Sequence, residues 1–293
     1  MSGKYALIAV EKADHAISKM CHLLGVSRSG FCSWEGRPAS ASKQRREELK
    51  SMIAYEFDQS GRTYGSRRIH AALRRKGVSA GGELVRRLMR ELGLMPVQAK
   101  RRRGLTVPDR QAPPIPGLVR RDFTATAPGE KMIGGITQTD TGEGPLYLAT
   151  TIDCFSKAII GWAVGEHYPA SLVAAAVHMA AGRIRLPGGA IFHSGRGSQY
   201  TSQEFAEALT GHGVRQSAGR TGSCSDNAAA ESFFGKLKTE NAHHRKFLTK
   251  AEARREVIRF IEGFYNQRRL HSRIGYRPPL EVLDEWSKNQ SAA

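Results

Sequence analysis

Nowhere in its 293 residues does the chain carry a run of about 18 apolar residues, so a transmembrane helix is excluded. The N-terminus lacks a charged-then-apolar leader pattern, and the expected location is the cytosol. Cysteine is scarce: Cys21, Cys32, Cys154 and Cys224 have no CxxC spacing, which argues against zinc or disulfide roles and for small buried hydrophobes. Acidic residues are short as well, with 27 Asp and Glu against 45 Lys and Arg, a net charge of +18 and a pI near 10.1. That imbalance fits a polyanionic partner, either nucleic acid or an acidic membrane surface.

The excess charge is segmental. Residues 62–103 hold 13 basic and 2 acidic residues, residues 236–277 hold 12 and 4, and the stretch between, 132–235, holds 6 and 8. A nearly neutral centre that keeps its acids, flanked by two basic arms, suits DNA phosphates held around a carboxylate metal site. General surface basicity that only aids solubility is the plain alternative.

The length suggests about two domains, and the local patterns divide the chain further. Residues 1–60 hold a helix-turn-helix signal: Ile17, Met20, Leu23, Leu24, Val26, Phe31 and Trp34 supply apolar contacts around Gly25, Ser27 can cap the second helix, and Arg28 opens its exposed face. An ordinary helical hairpin would read the same way. In residues 61–99, Ile69, Leu73, Leu84, Val85, Leu88, Met89 and Leu92 recur at helical spacing. Arg67, Arg68, Arg74, Arg86 and Arg87 fill the other face, where phosphate contact and a plain solvated face compete. Residues 100–130 read as an extended basic linker, with Lys100, Arg101, Arg102 and Arg103 followed by five prolines.

Beyond residue 130 the period changes. A strand over 132–139, two β-rich runs within 146–164 broken near Ser156, a helix over 170–183, a strand over 190–193, a helix near 202–212, a strand near Val214 and a helix over 227–243 give the order β-β-β-α-β-α-β-α. That succession is the α/β ribonuclease-H-like fold with a mixed sheet, spanning 131–243 and followed by a helical tail over 244–293.

KMIGGITQTDTGEGPLYLATTIDCFSKAIIGWAV, IFHSGRGSQYTSQEF, SCSDNAAAESFFGKLKTE and FYNQRRLHSRIGYRPPLEV resemble OrfB-type transposases, the insertion-sequence group related to retroviral integrases. The resemblance covers nearly the whole chain. It implies a DDE enzyme in which three carboxylates bind two Mg²⁺ ions, which clamp the attacking and leaving oxygens of a phosphodiester. The first two ligand positions fall on Gly135 and Gly195 and the third on Glu231, with 35 residues between positions 195 and 231 as the family spaces its last two acids. Met132 also departs from the family, which usually has tryptophan there. The resemblance further implies double-stranded DNA as partner, at transposon ends and target, a homo-oligomer on that DNA and an OrfA-like upstream partner. It places the protein in the bacterial cytosol.

Two glycines at ligand positions read as a loss of function, because one carboxylate cannot organise two ions. Asp153, in the second strand, and Asp140, five residues beyond 135, are the only acids placed near enough to be weighed as substitutes, and neither is expected to serve. Glu231 follows the capping pair Asp226 and Asn227, which favours the site over a plain surface glutamate. Lys238, seven residues on and on the same helical face, is the residue to which the resemblance gives a phosphate. His193, Arg196 and Gln199 form a polar loop that could meet DNA, although His193 could equally be a structural hydrogen-bond donor. Arg268, Arg269, His271 and Arg273 either grip DNA or pin the tail. Because removing two like-charged neighbours offsets the entropy of two strand glycines, restoring both aspartates is expected to leave stability nearly unchanged. A non-enzymatic DNA-binding protein, such as a repressor derived from a transposase, is the rival reading.

Overall fold

The computed structural model describes residues 2–38, 40–97, 115–219, 227–242 and 246–291. The expected contacts of Lys100, Arg101, Arg102 and Arg103 lie outside the described residues, as do Cys224 and Asp226. The chain divides into two compact units, residues 1–54 and 55–293.

In the first unit, α1 (Ser2–Glu11), α2 (Ile17–Leu23) and α3 (Arg28–Glu35) close over Ile8, Cys21 and Phe31. Gly25 adopts φ +62° between α2 and α3, a conformation that costs glycine nothing. Ser27 caps α3 by accepting from the Gly30 amide at 3.0 Å, so Arg28 starts the helix and is exposed. A long helix, α4 (Ala41–Gln59), leads into the second unit.

There, α5 (Ser66–Arg75) and α6 (Gly82–Glu91) pack against each other, burying Ile69, Leu73, Val85, Leu88 and Met89 and exposing Arg67, Arg74, Arg86 and Arg87. Five strands follow: β1 (Lys131–Thr141), β2 (Gly144–Asp153), β3 (Ile159–Gly165), β4 (Ile191–Ser194) and β5 (Arg215–Ala218). They lie in the order β3-β2-β1-β4-β5, antiparallel across the first three and parallel from β1 to β5. This is the mixed sheet expected of a ribonuclease-H-like layer.

One face is covered by α7 (Ala170–Arg183) and α9 (Gln203–Gly211), over Met132, Ile136, Ala149, Ile160, Phe192 and Phe205. The short α8 (Ser198–Thr201) adds buried Tyr200. The opposite face receives α10 (Ala228–Leu237) and α11 (Lys250–Ile258), each running on into a π-helical turn, Lys238–Ala242 and Arg259–Tyr265. Ala230, Phe233, Leu237, Val257, Phe260, Ile261 and Tyr265 meet Ile133, Leu148, Ile152 and Ile159 there. Residues beyond 243 therefore complete the second layer of the core, and α12 (Pro279–Ser291) ends the described chain.

Among the described residues, no helix is long and apolar enough to cross a membrane.

Candidate active site

The three ligand positions lie on β1, directly after β4 and on α10. Gly135 sits in the middle of β1, paired with Thr150 of β2. Along the parallel β1–β4 pair, Ile133 stands opposite His193, so the residues two further on each strand are Gly135 and Gly195. Gly195 directly follows β4, at the carboxyl end of the strand. Glu231 lies in the first turn of α10, one residue after Ala230, whose Cβ would be 3.0 Å from a Cβ placed on Gly135. The fold thus brings positions 135, 195 and the start of α10 to one end of the sheet.

The two glycines differ in their surroundings. A Cβ at Gly195 would meet none of the described residues within 4 Å. At Gly135 it would come within 2.6 Å of Phe234 Cε2, so the Phe234 ring stands where a first carboxylate would begin. The preceding Gly134 is pressed from the other face, where a Cβ would reach 2.3 Å from Phe192 Cζ. Strand β1 passes between two aromatic rings as a bare backbone.

Polar groups around Gly135 are left incomplete. The Thr150 hydroxyl, on the same face, is buried without a hydrogen-bond partner among the described residues, and so is Asn227 Oδ1. Asn227 does not cap α10 with its side chain, as the sequence suggested; its Nδ2 donates instead to the Gly134 carbonyl at 3.1 Å. Glu231 is exposed, and partial burial pushes its carboxyl above the usual range. Among the described residues no group of three or more His, Cys, Asp or Glu side chains could hold a metal ion. One glutamate and two neutral oxygens do not supply the hard anionic donors that a pair of Mg²⁺ ions requires.

The two substitute acids are engaged or distant. Asp153 is fully buried and accepts from Gly129 N at 2.9 Å, Ser156 N at 2.8 Å and Ser156 Oγ at 2.6 Å, which makes it the organiser of the β2–β3 turn. Asp140 lies five residues along β1, roughly 17 Å at about 3.4 Å per residue, where Gln138 donates to it.

Several expected DNA contacts are committed within the fold. His193 is 3% exposed and its Nδ1 shares a hydrogen bond with Ser217 Oγ at 2.9 Å, its structural alternative. Arg196 donates to the carbonyls of Gly219 and Ile115 at 2.8 and 3.1 Å, tying the β4 loop down. Arg68 donates to the Leu270 carbonyl. Arg269 is buried in a bidentate pair with Glu240, the arrangement of its tail-pinning alternative. Arg28, Arg67, Arg74, Arg87 and Arg268 are exposed, Arg86 is exposed but paired with Glu83, and Gln199 is half-buried on α8. Lys238 follows α10 with helical backbone throughout, which keeps it on the Glu231 face. Sequence reasoning missed Gly134 and Phe234 and gave Asn227 a capping role only; the aromatic residues inside GGIT's partner helix were the available signal.

Restoring a carboxylate at the two positions should therefore have unequal effects, which corrects the expectation of unchanged stability. Gly195→Asp is expected to stay within about 0.5 kcal/mol of the parent. Gly135→Asp should cost about 1–3 kcal/mol, because the Phe234 ring must turn aside. Denaturant midpoints of the two single variants check this, and equal midpoints would refute the steric account.

Comparisons with known proteins bear on the same elements. Residues 125–224 and 212–279 each match an integrase core domain, and residues 43–103 match an HTH-like domain. The chain is 37% identical over 267 residues to an insertion element IS600 uncharacterized 31 kDa protein of Shigella sonnei, covering 91% of this chain and 98% of that one. It is 35% identical over 278 residues to transposase InsF for insertion sequence IS3A of Escherichia coli (strain K12), covering 94% and 96%. The HTLV-2 integrase catalytic core domain in complex with magnesium aligns with 54% of this chain and 98% of its own, at 16% identity and a TM-score of 0.43.

Proposed function

From the premise that this chain belongs to the insertion-sequence transposases built on an integrase core, we propose that it binds double-stranded DNA at element ends without cutting or joining it. The observation that carries this reading is the pair Gly135 and Gly195 at the first two ligand positions, the first of them covered by Phe234. Acids at positions 135 and 195 together with Glu231 would hold a pair of Mg²⁺ ions, whose chemistry would be to activate water and offset charge on the phosphate. Here Glu231 alone remains, so the barrier stays high, with each 1.36 kcal/mol costing about tenfold in rate.

What the chain retains is grip. In the first unit the exposed Arg28 of α3, and in the second the exposed Arg67, Arg74 and Arg87 of α5 and α6 together with Lys238 and Gln199, offer phosphate contacts. Assembly of several copies on DNA and pairing with an OrfA-like partner belong to the same proposal. A repressor-like binding protein and a disabled transposase behave alike in this state; recovered cleavage after double reversion to aspartate would mark the second.

An electrophoretic assay with candidate end duplexes, run beside a cleavage assay in Mg²⁺ or Mn²⁺, tests the reading. The expected outcome is a salt-sensitive bound complex and no cleaved product. Turnover by the unaltered chain would overturn the proposal.

A further inference from the structure

A second concentration of cations lies away from the Glu231 face of α10. Lys236 follows Glu231 by five residues, roughly 140° around the helix. Its charged neighbours are Arg269, Glu240, Arg68 and Arg273, drawn from the tail, the π turn after α10 and α5. Arg269 Nε and Nη2 donate to Glu240 at 2.7 and 2.6 Å, and this pair is almost completely buried. Arg68 reaches the same carboxylate only at 4.0 Å and spends its Nε on the Leu270 carbonyl at 3.2 Å. Four cations thus share one carboxylate.

Two further neighbours, His271 and Tyr64, supply no negative charge. His271 is buried, with Nε2 3.3 Å from Arg269 Nη1, and burial followed by the surrounding cations drives it down to about 2, so it is neutral. Tyr64 is neutral too: its hydroxyl donates to the Arg268 carbonyl and accepts from the Leu270 amide at 2.8 Å, and burial raises its pKa. Lys236 makes no hydrogen bond or ion pair with any described residue, and burial among cations lowers it to about 8. Holding the tail requires Arg269 and Arg68; it does not require Lys236 or the exposed Arg273. A half-buried group of like charges with a deficit of counter-charge is complementary to an anion.

We propose that Lys236, Arg68 and Arg273 form a phosphate seat between α5, α10 and the tail, filled by a backbone phosphate of bound duplex DNA. The DNA half of this inference rests on the DNA-binding reading above; the anion half does not. Arg68 retains a quarter of its side-chain exposure, which leaves the seat open on one side.

Thermal unfolding in inorganic phosphate against chloride at equal ionic strength, together with duplex binding across a salt series, tests it with Lys236→Met and, as an exposed second variant, Arg273→Gln. Phosphate should raise the melting temperature of the parent by a few degrees and that of Lys236→Met by much less. In chloride, Lys236→Met should melt at or above the parent, because a repelled cation has gone; a merely structural lysine would give the opposite. Both variants should bind duplex roughly tenfold more weakly, with the salt slope reduced by about one. Equal phosphate gains in parent and variants would overturn the seat. A phosphate gain lost in the variants with unchanged duplex affinity would overturn the DNA assignment and leave a site for a free anion. Failure of the parent to bind any duplex would sink the DNA-binding reading, while the phosphate arm would still decide the seat.

Discussion

Gly161→Ala is expected to cost about 3 kcal/mol or more, lowering the melting temperature by roughly 6–12 °C for a domain of this size. A Cβ at Gly161 would lie 1.9 Å from the Ala176 carbonyl oxygen and 2.9 Å from the Ala180 amide. Those atoms belong to the backbone of α7, which rests directly on β3, so no side-chain rotation relieves the contact; the helix must lift from the sheet. The lift would open the layer formed by Ile160, Val173, Ala176, Val177 and Ala180. Gly182→Ala, near the end of the same helix, is the control: its Cβ would meet nothing within 4 Å, and replacement should stabilise by about 0.5–1 kcal/mol through helix propensity. Calorimetry on the two variants checks the pair of signs. A neutral Gly161→Ala would mean that α7 does not approach β3 this closely.

Removing one member of the Arg269–Glu240 pair should have an effect of the same order. The side chains are 1% and 8% exposed and joined by two hydrogen bonds, so Glu240→Gln would leave a buried guanidinium with a much weaker partner, and Arg269→Met a buried carboxylate that has lost both of those bonds and keeps Arg68 only at 4.0 Å. Loss of one partner from a buried pair costs about 3–5 kcal/mol, whereas replacing both by apolar groups of similar volume is often nearly neutral. The double variant Arg269→Met, Glu240→Leu should accordingly be more stable than Arg269→Met. Denaturant unfolding of the double-mutant cycle measures the coupling, and additive losses would show that the pair does not act as a unit.

Much of the fold can be read from periodicity. Leu172, Val173, Val177 and Ala180 place α7 over 170–183, where it stands, and the β-rich run of 146–164 breaks near Ser156, between β2 and β3. The tail was harder, because its register depends on contacts far apart in sequence. Glu240 and Arg269 are 29 residues apart, and each follows a helix that widens into a π turn, so no local pattern announces that they meet. Arg196 and His193 look like DNA contacts in a basic sequence; only three-dimensional packing assigns them to carbonyls and to Ser217, and gives the Nε of Arg68 to the Leu270 carbonyl. At the site itself, glycine carries no chemical signal, and positions 135 and 195 stand out only through the motif around them. That Phe234 covers one and none of the described residues covers the other follows from where α10 lies across β1.

Under the proposed reading of a site short of two acids, the unequal settings of the two glycines favour one order of restoring them. An acid arriving at 195 meets none of the described residues and can persist by drift without being noticed by selection for folding. An acid arriving at 135 meets a ring and must wait for its neighbour to yield. The strand works as a latch with one loose and one tight catch, and rearmament of such an element would begin at the loose one.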